Sequence, residues 1–136
     1  MNKIKLFYKY AIKAKKRPTV NFKTRAISNL SADDEHSIAH DTKLQLTNQQ
    51  IKKIFDSKYV SFEVINHYYT PIKKLHGMPK VTIPDVDNFV KLWCDAVNGI
   101  LWEDDGKVYK MIGSKYWDNS SYSEVIIKYI NESEDI

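Results

Sequence analysis

The sequence predicts an α+β domain: a mixed β-sheet with helices packed against it. Three observations carry that expectation. Four segments either alternate apolar with polar residues or are dense in β-branched and aromatic residues, as strands require. Two others repeat their apolar residues every three or four positions, as amphipathic helices do. The strands and helices are unevenly mixed along the chain, which favours α+β over a strictly alternating pattern. At 136 residues, the chain is expected to form one domain, 1–136, with a core that needs no staples.

The elements follow in order. "KIKLFYKYAI" sets Lys3, Lys5 and Lys9 against Ile4, Leu6, Tyr8, Tyr10 and Ile12, the two-residue period of a half-buried strand. "KAKKRPTVNFK" is basic, contains proline and reads as a loop. Residues 27–46 are polar and irregular and are expected to form a loop. "TNQQIKKIFDSK" reads as a short helix, with Thr47 as N-cap and Gln50 three residues on. "KYVSFEVINHYY" is a strand by its β-branched and aromatic content. "TPIKKLHGMPKVTIP" is a basic loop punctuated by proline and glycine.

The strongest helix runs from about Asp87 to Asn98. Its apolar set is Phe89, Leu92, Trp93, Ala96, Val97 and Ile100, and Asn98-Gly99 supplies the stop. "EDDG" is a turn. Residues 107–117 and 122–130 are two strands expected to form a hairpin through "DNSS".

Bulk properties exclude some classes. The longest apolar runs are far too short to span a bilayer, so no membrane partner is expected. The Lys-rich start lacks the continuous apolar core of a secretory signal. Cys94 is the single cysteine, so no intramolecular disulfide forms and a reducing cytoplasm is the expected location. The net charge is +4, and residues 1–32 carry nine Lys or Arg and no acid. A field so one-sided suits a polyanionic partner, although a solvated surface would look the same.

Against that basic background, Thr82–Val108 gathers Asp85, Asp87, Asp95, Glu103, Asp104 and Asp105. Asp85 and Asp87 are two apart at a loop-to-helix junction, so in extended backbone they point to one side. The helix leaves this pair, and the following turn can return Asp104 and Asp105 to it. Two carboxylates about 5 Å apart repel by roughly 3 kcal/mol at an effective dielectric near 20. Such a cluster protonates or binds a cation. All-oxygen donors suit Mg²⁺, with Mn²⁺ as a substitute, rather than Zn²⁺. Magnesium on a basic protein points to phosphoryl chemistry. Lys91, one helical turn after Asp87, can stabilise negative charge on a phosphate.

Plain structural roles fit each residue singly. Asp87 can be an N-cap, and Asp85 a favourable charge at a helix start. Lys91 can bridge Asp87 and Asp95, and "EDDG" can be only an acidic turn. Taken together with Asn88 and the basic amino-terminal region, the metal reading is the stronger one.

"DVDNFVKLWCDAVNGILWEDDGKV" resembles the RusA family of crossover (Holliday) junction endodeoxyribonucleases. The family pattern is roughly D-x-D-N-x-x-K, then D-A-(L/V)-N-G, then W-x-D-D and a hydrophobic strand. This chain supplies Asp85, Asp87, Asn88, Lys91, Asp95 to Gly99, Trp102, Asp104 and Asp105. "KAKKRP" resembles the family's basic R-P element. Members often have a second basic residue after R-P, where this chain has Thr19, and many have Gln where it has Lys107.

The resemblance implies a RusA-like fold and a metal-dependent nuclease that cuts four-way DNA junctions as a homodimer. It implies Asp85, Asp87 and Asp105 as metal carboxylates, Asp104 as a supporting acid and Lys91 as the catalytic or phosphate-contacting lysine. Such an enzyme resolves junctions by phosphodiester hydrolysis in recombination and repair, in a bacterial or phage setting. Two other readings stand beside it. One is a non-catalytic DNA-binding module of the same fold. The other is a Mg²⁺ phosphohydrolase of nucleotides, against which the broad basic region counts.

Candidate DNA contacts are Lys13, Lys15, Lys16 and Arg17 after the first strand, and Lys73, Lys74 and Lys80, with His76, in the loop before Asp85. Tyr68, Tyr69, Trp102, Tyr116 and Trp117 are candidates for base stacking, or for core and dimer packing. His36 and His40 are four apart, but nothing downstream completes a metal site. Cys94 is expected to be a buried, inert thiol.

Overall fold

Strand β1 (Asn2–Tyr8) forms as its alternation requires, burying Leu6 and Tyr8 and exposing Phe7. The computed structural model describes residues 1–13, 19–21, 26–28 and 32–131. Among them follow β2 (Thr19–Asn21), β3 (Ala26–Ser28), α1 (Ala32–Gln45), α2 (Asn48–Phe55), β4 (Tyr59–Tyr69), α3 (Val86–Val97), β5 (Val108–Asp118) and β6 (Tyr122–Ile130). The main sheet runs β1-β6-β4-β5, and β2 pairs with β3 alone. Within the sheet, β1 and β4 are antiparallel to β6, while β5 is parallel to β4. The architecture is α+β with a mixed four-stranded sheet, as the sequence predicts.

Several expectations hold locally. Thr47 and Gln50 form the reciprocal capping box at the start of α2, with Thr47 N donating to Gln50 Oε1 at 2.8 Å. Helix α3 starts one residue earlier than expected, and Asp85 rather than Asp87 is its N-cap. Asn98 is its C-cap, and Gly99 follows at φ +85°, a conformation that costs glycine little.

Three expectations are corrected. Within residues 27–46, expected to be an irregular loop, residues 32–45 form helix α1. Its inward stripe is narrow and partly polar. Ile38 and Thr42 are buried, as is Leu46 just past the helix end. The Thr42 hydroxyl lies 2.7 Å from Tyr8 Oη, and Tyr10 Oη donates to Asp41 Oδ2 at 2.7 Å. A helix that docks through hydroxyls and a carboxylate has no apolar period to read.

The second correction is the hairpin. β5 and β6 do not pair with each other, because β4 lies between them. Short linkers such as residues 119–121 usually join neighbours. Here β5 and β6 each pair along one edge of β4, the central strand whose Phe62 and Val64 are fully buried.

The third correction falls in the basic loop at 13–23. Thr19–Asn21 is a strand, paired in register with Ala26–Ser28.

The core lies between one sheet face and helices α1 and α3. Trp93 meets the Tyr8 ring edge-on at 4.6 Å, and Trp102 meets Phe62 at 5.5 Å. The segment after β1 is tied to the sheet from below. Asn66 is fully buried, Ser123 Oγ lies 2.7 Å from Asn66 Oδ1, and Asn66 Nδ2 donates to Tyr68 Oη at 3.0 Å. Tyr68 Oη in turn donates to the Ile12 carbonyl, and burial pushes the Tyr68 hydroxyl up to about 12.

Candidate active site

The loop before Asp85 is pinned to the outer edge of β5. Gly77 N donates to Trp117 O at 2.8 Å, Trp117 N to Met78 O at 2.9 Å and Lys80 N to Lys115 O at 3.0 Å. These bonds turn an exposed strand edge into a paired one. Lys115 Nζ then reaches over the loop to donate to Pro84 O at 2.6 Å and to Thr82 O. Asp85 is therefore delivered by a segment clamped on both sides.

Helix α3 rises from this point. Asn88 N and Phe89 N both bond Asp85 O, at 3.1 and 3.3 Å. Phe89, Leu92, Trp93, Ala96 and Val97 face the core, which turns Asp85, Asp87, Asn88 and Lys91 outward. The first turns of α3 sit directly on Gly113 of β5. A Cβ there would lie 2.6 Å from Val86 Cγ1, so only glycine permits this approach.

The Asp85 side chain makes no capping hydrogen bond, although Asp85 occupies the N-cap position. Asp85 and Asp87 are both exposed. Neither carboxylate is used by the local backbone for structure. Asp104 differs: its Oδ1 accepts from Gly106 N at 2.6 Å, capping the short 3-10 turn Asp105–Lys107. Lys107 Nζ donates to the Phe55 carbonyl and fastens this turn to the end of α2.

Lys91 joins the two segments. Its ammonium lies 2.9 Å from Asp95 Oδ1 and 3.8 Å from Asp105 Oδ2. The sequence suggested a bridge from Asp87 to Asp95, and the structure puts Asp105 in the place of Asp87. The Asp95 hydrogen bond and charge, helped by Asp105, raise the Lys91 pKa above its ordinary value. Lys91 is thus fully cationic at neutral pH. An open groove of about 510 Å³ runs beside Asp87 and Lys91, lined by Val86, Val90, Met111 and Gly113.

The structure does not gather the four aspartates, expected to converge, into one cluster. Among the described residues, no three His, Cys, Asp or Glu side chains are grouped closely enough to hold a metal. Asp105 instead shares the Lys91 ammonium with Asp95, an attraction that offsets the repulsion between the two carboxylates. In kind, the donors still fit a hard divalent cation. Asp85 and Asp87 offer uncommitted carboxylate oxygens, with no soft ligand beside them.

The other candidates scatter. Lys13, Lys73 and Lys74 are exposed. Lys15, Lys16 and Arg17 lie outside the described residues. Lys80 is 8% exposed, and its ammonium is taken up internally. It donates to Thr82 Oγ1 at 2.7 Å and to the Ile83 carbonyl, and stands over the Tyr68 and Trp117 rings at 5.1 and 4.8 Å. Burial, with Lys115 nearby, lowers its pKa. The ammonium braces the loop before Asp85.

His76 Nε2 lies 2.8 Å from the Thr70 carbonyl, a contact that steadies the same loop. Trp102 is fully buried, Tyr68 is buried, and Tyr69 is exposed. His36 and His40 project from α1 into solvent. Cys94 is buried as expected.

Two residues that position the site escaped the sequence reading. Gly113 carried a usable signal, because a glycine inside a strand pattern marks a close backbone approach. Lys115 carried none: it looks like any solvated strand lysine until the loop is folded over it.

A model of the family described as Endodeoxyribonuclease RusA matches residues 9–128. No curated protein matches the chain. No helix among the described residues is long and apolar enough to cross a membrane.

Proposed function

The chain belongs to the RusA family of endodeoxyribonucleases, and from that premise we propose that it cuts four-way DNA junctions as a Mg²⁺-dependent, structure-selective homodimer. The family is one of Holliday junction resolvases, which places junction cleavage and recombination first among the activities to consider. The observation that carries the reading is Lys91, which lies between Asp95 and Asp105 and so ties the middle of α3 to the "EDDG" turn.

In this reading Asp85, Asp87 and Asp105 hold the cation, with Asp104 fixing the turn that presents Asp105. A bound Mg²⁺, or Mn²⁺ in its place, supplies charge neutralisation at the phosphate and Lewis acidity toward water. The chain's own residues do the rest. Lys91 keeps its proton and offers positive charge to a phosphate oxygen as charge grows there. The clamp by Lys115 and Lys80 holds the loop into Asp85, so the carboxylates are positioned before substrate arrives. Lys13, Lys73 and Lys74, with Lys15, Lys16 and Arg17, bind the backbone of the junction arms. A symmetric dimer brings one site to each of two equivalent strands.

The test sets labelled four-way junction, linear duplex and single strand side by side, with Mg²⁺ and with EDTA. Cleavage of the junction alone, only with Mg²⁺, is expected. Tight junction binding without cleavage in any divalent metal would point instead to a DNA-binding module that lacks chemistry.

A further inference from the structure

Val81 and Ile83 are the two most exposed large apolar side chains among the described residues, at 88% and 78%. Single exposed aliphatics are ordinary on any protein surface. These two are not single: they flank Thr82 in the loop that leads into Asp85, and the exposed Met78 precedes them. A segment that only had to connect β4 to α3 would lose nothing by carrying polar residues here.

The loop holds these side chains out. Lys80 Nζ donates to Thr82 Oγ1 at 2.7 Å and to the Ile83 carbonyl. Lys115 Nζ donates to Pro84 O at 2.6 Å and to the Thr82 carbonyl. Lys80 and Pro84, on either side, are buried. Two ammonium groups thus fix residues 82–84 beside β5, while Val81 and Ile83 stay in solvent. A flexible loop would fold such side chains onto the protein. A fixed one keeps them ready for a partner, with the ordering cost already met at folding.

What that partner offers follows from the place. Ile83 is two residues from Asp85, at most about 7 Å along the backbone. Lys73 and Lys74, both exposed, lie earlier in the same loop. A ligand here meets cations and the candidate phosphate site together with an apolar surface. The outside of a continuous duplex offers phosphates and largely polar groove edges. Base faces become available where stacking is interrupted, and aliphatic side chains insert at such steps.

We propose that Val81 and Ile83 pack against unstacked bases at the branch point of a DNA junction, and that this contact distinguishes a junction from linear duplex. Contacts to phosphate cannot make that distinction alone, because every arm presents the same backbone. The inference rests on the junction reading above and adds to it the residues that select the structure.

Binding is measured in Ca²⁺, without cleavage, to a four-way junction and to linear duplex. Each carries a fluorescent adenine analogue whose emission rises on unstacking. The wild type is expected to raise the emission at the branch point and not in the duplex. Val81→Ser with Ile83→Ser should abolish that rise and lower the preference for junction over duplex about ten-fold, the scale of losing the burial of one aliphatic side chain. Duplex binding should not change. Both positions are exposed, so the melting temperature should stay at the wild-type value. Val81→Leu with Ile83→Leu should keep the preference.

An unchanged junction preference in the serine variant overturns the proposal. So does an equal loss on junction and duplex, which would make the loop a general DNA contact. A fall in sedimented mass in the serine variant also overturns it, by assigning the two side chains to contact between copies. A wild type that cuts junctions while its serine variant keeps the preference removes only this inference. A wild type that neither prefers nor cuts junctions removes the reading beneath it as well.

Discussion

Lys91 is held by carboxylates from two segments, Asp95 on its own helix and Asp105 on the next turn. Such a lysine can be an ion-pair partner alone, or it can hold a charge ready for phosphate, and kinetics separates the two. Lys91→Ala is expected to lower single-turnover cleavage in Mg²⁺ by about 10²-fold or more, with modest loss of junction binding in Ca²⁺. Weakened binding with intact saturated cleavage would reduce Lys91 to an ion-pair partner. Asp85→Asn, Asp87→Asn and Asp105→Asn should each abolish cleavage and keep or tighten binding, since each removes a cation ligand and a repulsive charge. Near wild-type cleavage in all three would remove the metal assignment.

Cys94 makes a residue-scale prediction about pH. Burial, then the charges of Asp105 and Asp95, push its thiol from 9.0 up to about 11. The folded state therefore favours the neutral thiol. Its contribution is full below pH 9, where the unfolded thiol is also neutral, and is lost as pH rises toward 11. Stability measured by urea melts should fall between those values, and less steeply in Cys94→Ala. Equal slopes would mean that other groups carry the whole alkaline loss.

At the scale of elements, the site depends on how closely α3 approaches β5. Gly113 leaves no room for a methyl group beneath Val86 and Val90. Gly113→Ala should cost about 1–3 kcal/mol, as overpacking does. It should also lower cleavage more than junction binding, because the displaced turn carries Asp85, Asp87 and Lys91. An unchanged melting temperature would show that α3 tolerates the shift. Helix α1 shows the limit of pattern reading at this scale. Its buried stripe includes Thr42, and Asp41 holds the Tyr10 hydroxyl, so the signal that identified α3 is missing. α3, by contrast, was legible because Phe89, Leu92, Trp93, Ala96 and Val97 repeat at helical spacing around a clear stop at Asn98-Gly99.

At the scale of the molecule, charge is distributed for two tasks. The basic amino-terminal region suits diffuse contact with phosphates, and the carboxylates suit a local cation. Binding that neutralises phosphates weakens with salt at a slope near −0.9 per contact on duplex. Lys15→Ala with Lys16→Ala should weaken junction binding and flatten that slope by about one per lost contact, with little change in saturated single-turnover cleavage. An unchanged slope would move the DNA path to the loop of Lys73 and Lys74.

The sequence by itself determined the α+β class, the four strands of the main sheet, α2 with its Thr47 cap, α3 with its stop, and the motif that names the family. Those properties are local: each depends on residues within a few positions of one another. Tertiary structure decided the rest. It placed β4 between β5 and β6, made a helix of residues 32–45, buried Lys80 within the loop before Asp85 and gave Asp105 rather than Asp87 to Lys91. Each of these depends on contacts between distant segments, where the competition among possible partners is settled by packing and desolvation. No spacing along the chain encodes that outcome.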